Sequence, residues 1–249
     1  MSCNLLQMRC KWCGGRLNRV TDSESICCSR CQLTWRSLSC LIAVLDGLGY
    51  PKKTRGKSLA PDLSRSGIGI GDDWRLARLL HQHFAYTNSH LDRFPVLDLC
   101  QIPDHTRSSV EFVVCSDVLE HVRPPLSEAL NGLYSLVKPG GFAVVTVPLH
   151  STQDEAELYK DLVSYEFANK TLLWKDSMGH DHADSNPTLH EGEGLVLVFR
   201  TFSHRSIVSC LLQAGFASVS SPETLPPISG VQPKREEYNV YVARKGIHE

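Results

Sequence analysis

Residues 110–148, VEFVVCSDVLEHVRPPLSEALNGLYSLVKPGGFAVVTVP, constrain the fold of this chain more than any other stretch. Two short apolar runs, Phe112–Ser116 and Phe142–Val147, read as strands buried on both faces. Between them Leu126, Ala129, Leu130, Leu133, Leu136 and Val137 recur at helical spacing, and Pro124 and Pro125 suit a first helical turn. Pro139-Gly140-Gly141 then ends the helix and turns the chain. Strand, helix, strand in this order is one crossover step of a parallel sheet.

The same alternation continues on both sides. Gly67-Ile68-Gly69-Ile70-Gly71-Asp72-Asp73 leaves a short first strand and enters a helix that an aspartate can cap, with Leu76, Ala77 and Leu80 on one face. A second strand is expected at Phe84–Thr87 and a third at Phe94–Leu99. A later helix starts at Ser203, carries Ile207, Val208, Leu211 and Leu212 on one face, and stops at Gly215. Strands near Phe216–Ser220 and Tyr238–Ala243 suit an antiparallel edge. The expected fold is α/β: a doubly wound, mostly parallel, seven-stranded Rossmann-like sheet. In such sheets ligands bind beyond the carboxyl ends of the strands, where the strand order reverses. Gly67, Gly69 and Gly71 stand at the first of those ends, where a bare backbone lets a ligand approach and a helix start offers free N–H groups.

The N-terminal region has a different composition. Seven of the ten cysteines lie in the first 40 residues, and residues 1–60 hold ten Lys or Arg against three Asp or Glu. Cys10-Lys-Trp-Cys13 and Cys28-Ser-Arg-Cys31 are two C-x2-C pairs separated by 14 residues. Each pair can form a tight knuckle, and two knuckles close a four-thiolate cage for a structural Zn²⁺. Such a closed site has no open position for chemistry. Cys27 adjoins Cys28 and is an alternative ligand, whereas Cys3 and Cys40 lack partners at suitable spacing. Residues 32–50 are expected to be a helix, with Leu38, Leu41, Ile42 and Leu45 on one face, and 51–66 a basic linker. The expected organisation is a zinc-ribbon-like module at 1–36, helix and linker at 37–66, and the α/β domain at 67–249. The basic bias suits a module that meets phosphate or nucleic acid, or one docked on its own acidic domain. No signal-peptide pattern and no run near the ~18 apolar residues of a membrane span are present, so a cytoplasmic location is expected.

The wording adds to this pattern. SDVLEHV followed by LVKPGG resembles the class I S-adenosylmethionine-dependent methyltransferases, whose fourth strand often reads D-x-L-E-H and whose fifth follows L-K-P-G-G. The run GIGIGDDWRLARLL…FAYTNSHLDRFPVLDL is similar to a subset of the methyltransferase type 11 families, whose first motif is G-I-G-x-S-D and whose second strand carries Y-T-N. The likeness extends through LHEGEGLVLVFRTFS and includes the Cys-rich segment with TWRS; residues 51–66 and 221–237 match poorly. It implies S-adenosylmethionine as cofactor, received by Gly67, Gly69, Gly71 and Asp72. Asn88 stands where the family has an acid for the ribose hydroxyls. Asp98 fits the residue near the adenine amino group, with Leu99 beside the ring, and Ser116 and Asp117 lie beneath the methionine portion.

Methyl transfer is an in-line displacement, so the protein chiefly aligns the acceptor and excludes water. A hydroxyl acceptor also benefits from a base, for which His121 and His150 are candidates at the strand ends. Residues 176–193, with His180, His182 and His190 among five acids, suit an acceptor lid or a metal site. The favoured reading is transfer to an oxygen or nitrogen of a small-molecule or sugar acceptor. The alternatives are a non-catalytic protein of methyltransferase-like fold and a nucleic-acid methyltransferase that uses the basic ribbon. A nicotinamide dehydrogenase is disfavoured, because the glycines do not read G-x-G-x-x-G.

Overall fold

The computed structural model describes residues 9–19, 26–54, 56–149, 156–190, 196–222 and 240–247. An antiparallel pair, β1 (Leu17–Arg19) and β2 (Ile26–Cys28), leads into α1 (Trp35–Gly47). Thr34 caps this helix by accepting from the Ser37 amide at 3.1 Å. Then follow β3 (Asp62–Ile70), α2 (Trp74–His83), β4 (Phe84–Ser89), β5 (Val110–Ser116), α3 (Leu126–Leu136) and β6 (Val137–Thr146). An insertion comes next. It holds β7 (Ala156–Glu157), a three-stranded antiparallel sheet of β8 (Leu162–Ala168), β9 (Thr171–Asp176) and β10 (Asp181–Asp184), the pair β11 (Leu189–His190) and β12 (Val196–Leu197), and β13 (Arg200–Thr201) against β7. The chain closes with α4 (His204–Gln213), β14 (Ser218–Ser220) and β15 (Val240–Arg244).

The central sheet has the order β14-β15-β6-β5-β3-β4. The pairs β4/β3, β3/β5 and β5/β6 are parallel, and β15 and β14 form the antiparallel edge. Among the described residues this sheet has six strands, not the seven expected, and the missing one is Phe94–Leu99. That segment pairs only as an isolated parallel bridge between Val96 and His90, among the described residues, just past the end of β4. Pro95 has no N–H to give a ladder, and Phe94 and Val96 are 92% and 61% exposed; Leu97 and Leu99 are buried against the α3 side of the core, but from a loop and not from a ladder strand. Two boundaries also differ. β3 begins at Asp62, inside the stretch read as a linker, so Gly67 and Gly69 lie within a strand and not in a loop after it. The Pro139-Gly140-Gly141 turn is absorbed into β6 as an irregularity, where the register passes from Val110↔Val137 to Phe112↔Phe142.

Side-chain alternation splits the core in two. Phe112 and Val114 face one side, with α1 and α2; Val113 and Cys115 face the other, with α3 and α4. Cys10, Trp12, Leu17, Ile26, Cys28 and Leu33 of the N-terminal module join the first of these clusters, through α1. At its centre the buried Phe112 ring lies between Tyr86 (5.7 Å, 13° between planes) and Phe142 (6.1 Å, 20°), with Phe84 edge-on at 5.7 Å. A Cβ at Gly67 would run into the Phe112 ring. Among the described residues no helix is long and apolar enough to cross a membrane. Phe112→Ala should lower the unfolding free energy by about 3–5 kcal/mol, through lost burial and a cavity under three rings. Urea denaturation of the two proteins checks this; a change below about 1 kcal/mol would mean the stack is not central.

Candidate functional site

β3 has β4 on one side and β5 on the other, so the strand order reverses there, and beyond the carboxyl ends at such a point sheets of this kind bind their ligands. Ile70, Gly71 and Asp72 arrive from β3, Asn88 and Ser89 from β4, Ser116 and Asp117 from β5, and Thr146 from β6.

Asp72 is the centre of this group. It is 5% exposed, and Tyr86 donates its hydroxyl to Oδ2. Oδ1 has no hydrogen-bond partner among the described residues. Burial pushes the carboxyl pKa up to about 7, against the opposing pull of Tyr86 and Arg36. Asn88 holds the same turn: its Oδ1 accepts from the Asp72 amide and its Nδ2 donates to the Asp72 carbonyl, both at 3.0 Å. Expected to face the ribose, Asn88 thus has its amide engaged on the backbone of the loop. Gly71 lies at φ +68, in the left-handed region, and donates to the Ser89 carbonyl at 2.7 Å. A Cβ at Gly69 would collide with Tyr86, Asp72 and Asn88 together. Gly67, by contrast, is occupied with the Phe112 ring.

The end of β5 carries a second acid. Asp117 sits at φ +53 and accepts from Thr146 Oγ1 at 2.7 Å; Thr146 is also 2.8 Å from the Ser116 hydroxyl. The other Asp117 oxygen forms a close ion pair with Arg36, from the first turn of α1. Sequence reasoning passed over Arg36. Its one signal was its place in TWRS directly after the Cys-rich segment, and nothing local says that α1 begins at the strand ends.

Glu120 and His121 follow in a 3-10 turn, Leu119–His121. Arg200, fully buried, clamps that turn from the insertion: Nη1 donates to the Leu119 and Val122 carbonyls at 2.8 and 2.6 Å, and Nη2 to Glu157 at 3.1 Å. The Phe199 amide donates to the Glu120 carbonyl at 2.8 Å. Glu120 is 1% exposed, and burial raises its pKa to about 7. His121 Nδ1 stands 2.9 Å from the Leu197 carbonyl. A carbonyl only accepts, so Nδ1 carries the proton, and in the neutral ring the lone pair is on Nε2. Nε2 is 3.7 Å from Glu120 Oε1, beyond hydrogen-bond length.

The remaining candidates are dispersed. Asp98 accepts from the Cys100 amide at 2.8 Å and so caps its own loop, while Leu99 is buried beneath α3. His150 lies outside the described residues. Asp176 gathers the amides of Met178 and His180 at 2.9 Å and the rings of His180 and His182 at 3.1 and 3.0 Å, which makes a closed turn. A cavity of about 420 Å³ between Trp12, Leu41, Ile42 and Tyr50 is remote from this chemistry, since Tyr50 bonds Asp62 at the opposite end of β3.

Cys10, Cys13, Cys28 and Cys31 present four sulfurs within 4.8 Å of one another. Cys10 and Cys31 are 3.7 Å apart and Cys13 and Cys28 3.3 Å, near the ~3.8 Å edge of a tetrahedron with 2.3 Å zinc–sulfur bonds. The Gly15 and Arg30 amides donate to Cys13 and Cys28 at 3.4 Å, as knuckles require. The Cys31 thiol beside it pulls the Cys10 pKa down. Cys27 turns away and bonds the Gln32 carbonyl at 3.3 Å.

A buried acid with an unmet oxygen, held against the bare Gly69 backbone, fits a cationic cofactor at the switch point. The sequence model of a family described as a methyltransferase domain matches residues 60–221, well over half of the chain. In structure the chain is similar to an S-adenosylmethionine-dependent methyltransferase from Clostridium acetobutylicum, with 9% identity over 87% of this chain and 94% of that one and a TM-score of 0.50. It is also similar to the 1,6-didemethyltoxoflavin-N1-methyltransferase of Burkholderia thailandensis, solved with its substrate and S-adenosylhomocysteine, with 13% identity over 85% and 79% of the two chains and a TM-score of 0.48. No curated protein matches the sequence. The span of the family match decides the assignment: this chain belongs to the class I S-adenosylmethionine-dependent methyltransferases.

Proposed function

We propose that this methyltransferase acts on an oxygen or nitrogen of a small polar acceptor, a sugar in particular, with the strand-end crevice as its cofactor site. The observation that carries the reading is Asp72, a dry carboxyl with one unmet oxygen, packed against the bare backbone of Gly69. When bound, S-adenosylmethionine supplies a methyl group already activated on a sulfonium. Gly69, Gly71 and Asp72 would hold it from β3, and Ser116 and Asp117 from β5; Asn88 acts through the turn it ties, and Asp98 and Leu99 border the adenine side. His121 Nε2 would take the proton of an acceptor hydroxyl, with its ring fixed by the Leu197 carbonyl.

A sugar is favoured by the inserted sheet. Its cavity of about 430 Å³ combines the Tyr165 and Trp174 rings with Glu166, Asp181, Ser164 and His182, a mixture of flat apolar faces and acceptors that suits a polyhydroxylated ring. Arg123 lies 5.1 Å from the Tyr165 ring, so this sheet adjoins the turn that bears His121. The four-cysteine site is read as a structural Zn²⁺ centre.

Four experiments bear on this. Radiolabelled methyl transfer to a panel of free and nucleotide-linked sugars should find an acceptor, and His121→Gln should cut kcat about 100-fold or more while S-adenosylhomocysteine still binds. Undiminished turnover would remove His121 as the base. The cofactor brings positive charge, so its affinity should rise from about pH 6 to about pH 8 as Asp72 ionises with a pKa of about 7, and Asp72→Asn should flatten that rise. Stability of the ligand-free protein should run the other way. The folded pKa values of Asp72 and Glu120 exceed their unfolded ones, so the stabilisation is full below about pH 4 and is lost as pH rises through about 7. Elemental analysis should find zinc in the intact chain and none in Cys13→Ser. That variant should also melt lower as a whole, since Cys10 and Cys28 share a core with Phe112; an unchanged metal content would refute the site.

A further inference from the structure

The four-cysteine module and the strand-end site meet in one side chain. Thr34 caps α1, while Trp35, Ser37 and Leu38 are buried at 7%, 3% and 0% exposure and fix the first turn. The residue between them, Arg36, extends to the end of β5 and pairs with Asp117. We propose that Arg36 is a cofactor-binding residue: with cofactor present its guanidinium grips the α-carboxylate of the methionine portion, so the N-terminal module is a component of the cofactor pocket. This rests on the S-adenosylmethionine reading of the site given above.

Charge complementarity carries the assignment. The cofactor has two cations, a sulfonium and an ammonium, and one anion, the carboxylate. The crevice offers three acids, Asp72, Asp117 and Glu120, and Arg36 stands among them: it pairs with Asp117, and its charge acts on both Asp72 and Glu120. The acids suit the two cations, and a carboxylate entering that field needs a positive partner. Arg200 is committed elsewhere, fully buried and bonded to the Leu119 and Val122 carbonyls and to Glu157. A planar guanidinium matches a carboxylate by two parallel hydrogen bonds. The Arg36–Asp117 pair therefore has the polarity needed for an amino-acid zwitterion, guanidinium for the carboxylate and Asp117 for the ammonium. Both side chains keep contact with solvent, at 23% and 12% exposure, so a ligand can reach them.

Calorimetric titration of the full-length protein with three ligands tests this. S-adenosylhomocysteine has the whole zwitterion, its decarboxylated analogue lacks only the carboxylate, and 5′-methylthioadenosine lacks the amino-acid portion. The wild-type protein should prefer S-adenosylhomocysteine to the decarboxylated analogue about 10- to 100-fold. Arg36→Ala should lose that preference and leave 5′-methylthioadenosine affinity unchanged, and Arg36→Lys should restore part of it. Equal loss for S-adenosylhomocysteine and 5′-methylthioadenosine would mean that Arg36 only supports the fold, and would overturn the proposal. So would a wild-type protein indifferent to the carboxylate, a result that needs no variant to fold. If the wild type binds none of the three, the cofactor reading itself fails; if it binds all three and Arg36→Ala binds them identically, only the role of Arg36 fails.

Discussion

Asp72 keeps its carboxyl out of water at the end of β3, with Tyr86 donating to one oxygen and no described partner for the other. An isolated buried carboxylate is costly, and the protein's response is to raise its pKa towards neutrality and stay partly protonated. Much of the neighbourhood follows from keeping that group in place. Gly69 has no side chain because Tyr86, Asp72 and Asn88 fill the space where one would stand. Asn88 pins the turn by both ends of its amide. Tyr86 can aim its hydroxyl because its ring is stacked on Phe112, at the centre of one core. The site is thereby tied to the aromatic stack at the centre of one core.

The segments that sequence periodicity resolved are those in which local pattern and tertiary burial agree. β5, α3 and β6 combine an apolar run, a helical stripe and a turn, and each signal points the same way. Ser203 supplies a capping box to α4 as its residue type promises. Phe94–Leu99 fails because its apolar residues bury only Leu97 and Leu99, from a loop, while Phe94 and Val96 stay exposed and Pro95 withholds a donor. The cysteine spacing was legible since metal cages depend on short local knuckles. The candidate site was legible in position but less so in role. Asn88, Asp98 and Gly67 were placed near the cofactor by their position in the motifs, yet their side chains or spaces are used by a neighbouring backbone or ring. Such uses depend on atoms far away in sequence. The same holds for Arg36 and Arg200, which act across about 80 residues on turns whose own sequence does not mention them.

The N-terminal segment reads as a separate module by composition, but its packing ties it to the domain. Trp12, Leu33 and two of the four cysteines belong to the apolar cluster that contains Phe84, Phe112 and Phe142. α1 then lies over β5, β6 and β15, so the same helix finishes the module and covers one face of the sheet. A segment of this size cannot close a core alone, and the structural Zn²⁺ proposed for its four cysteines would supply order that its few apolar side chains cannot. Once ordered, it fixes the start of α1, and the start of α1 fixes Arg36. The charge distribution agrees with this arrangement: the basic first 60 residues meet an acidic remainder, and Arg36 enters the crevice where Asp72, Asp117 and Glu120 collect. Attraction between the two parts and polarity within the site are then a single electrostatic feature. On the proposed roles of the cysteine cage and Arg36, a protein that lost the cage would lose sheet cover and pocket charge together, and metal, fold and cofactor affinity would be coupled through one helical turn.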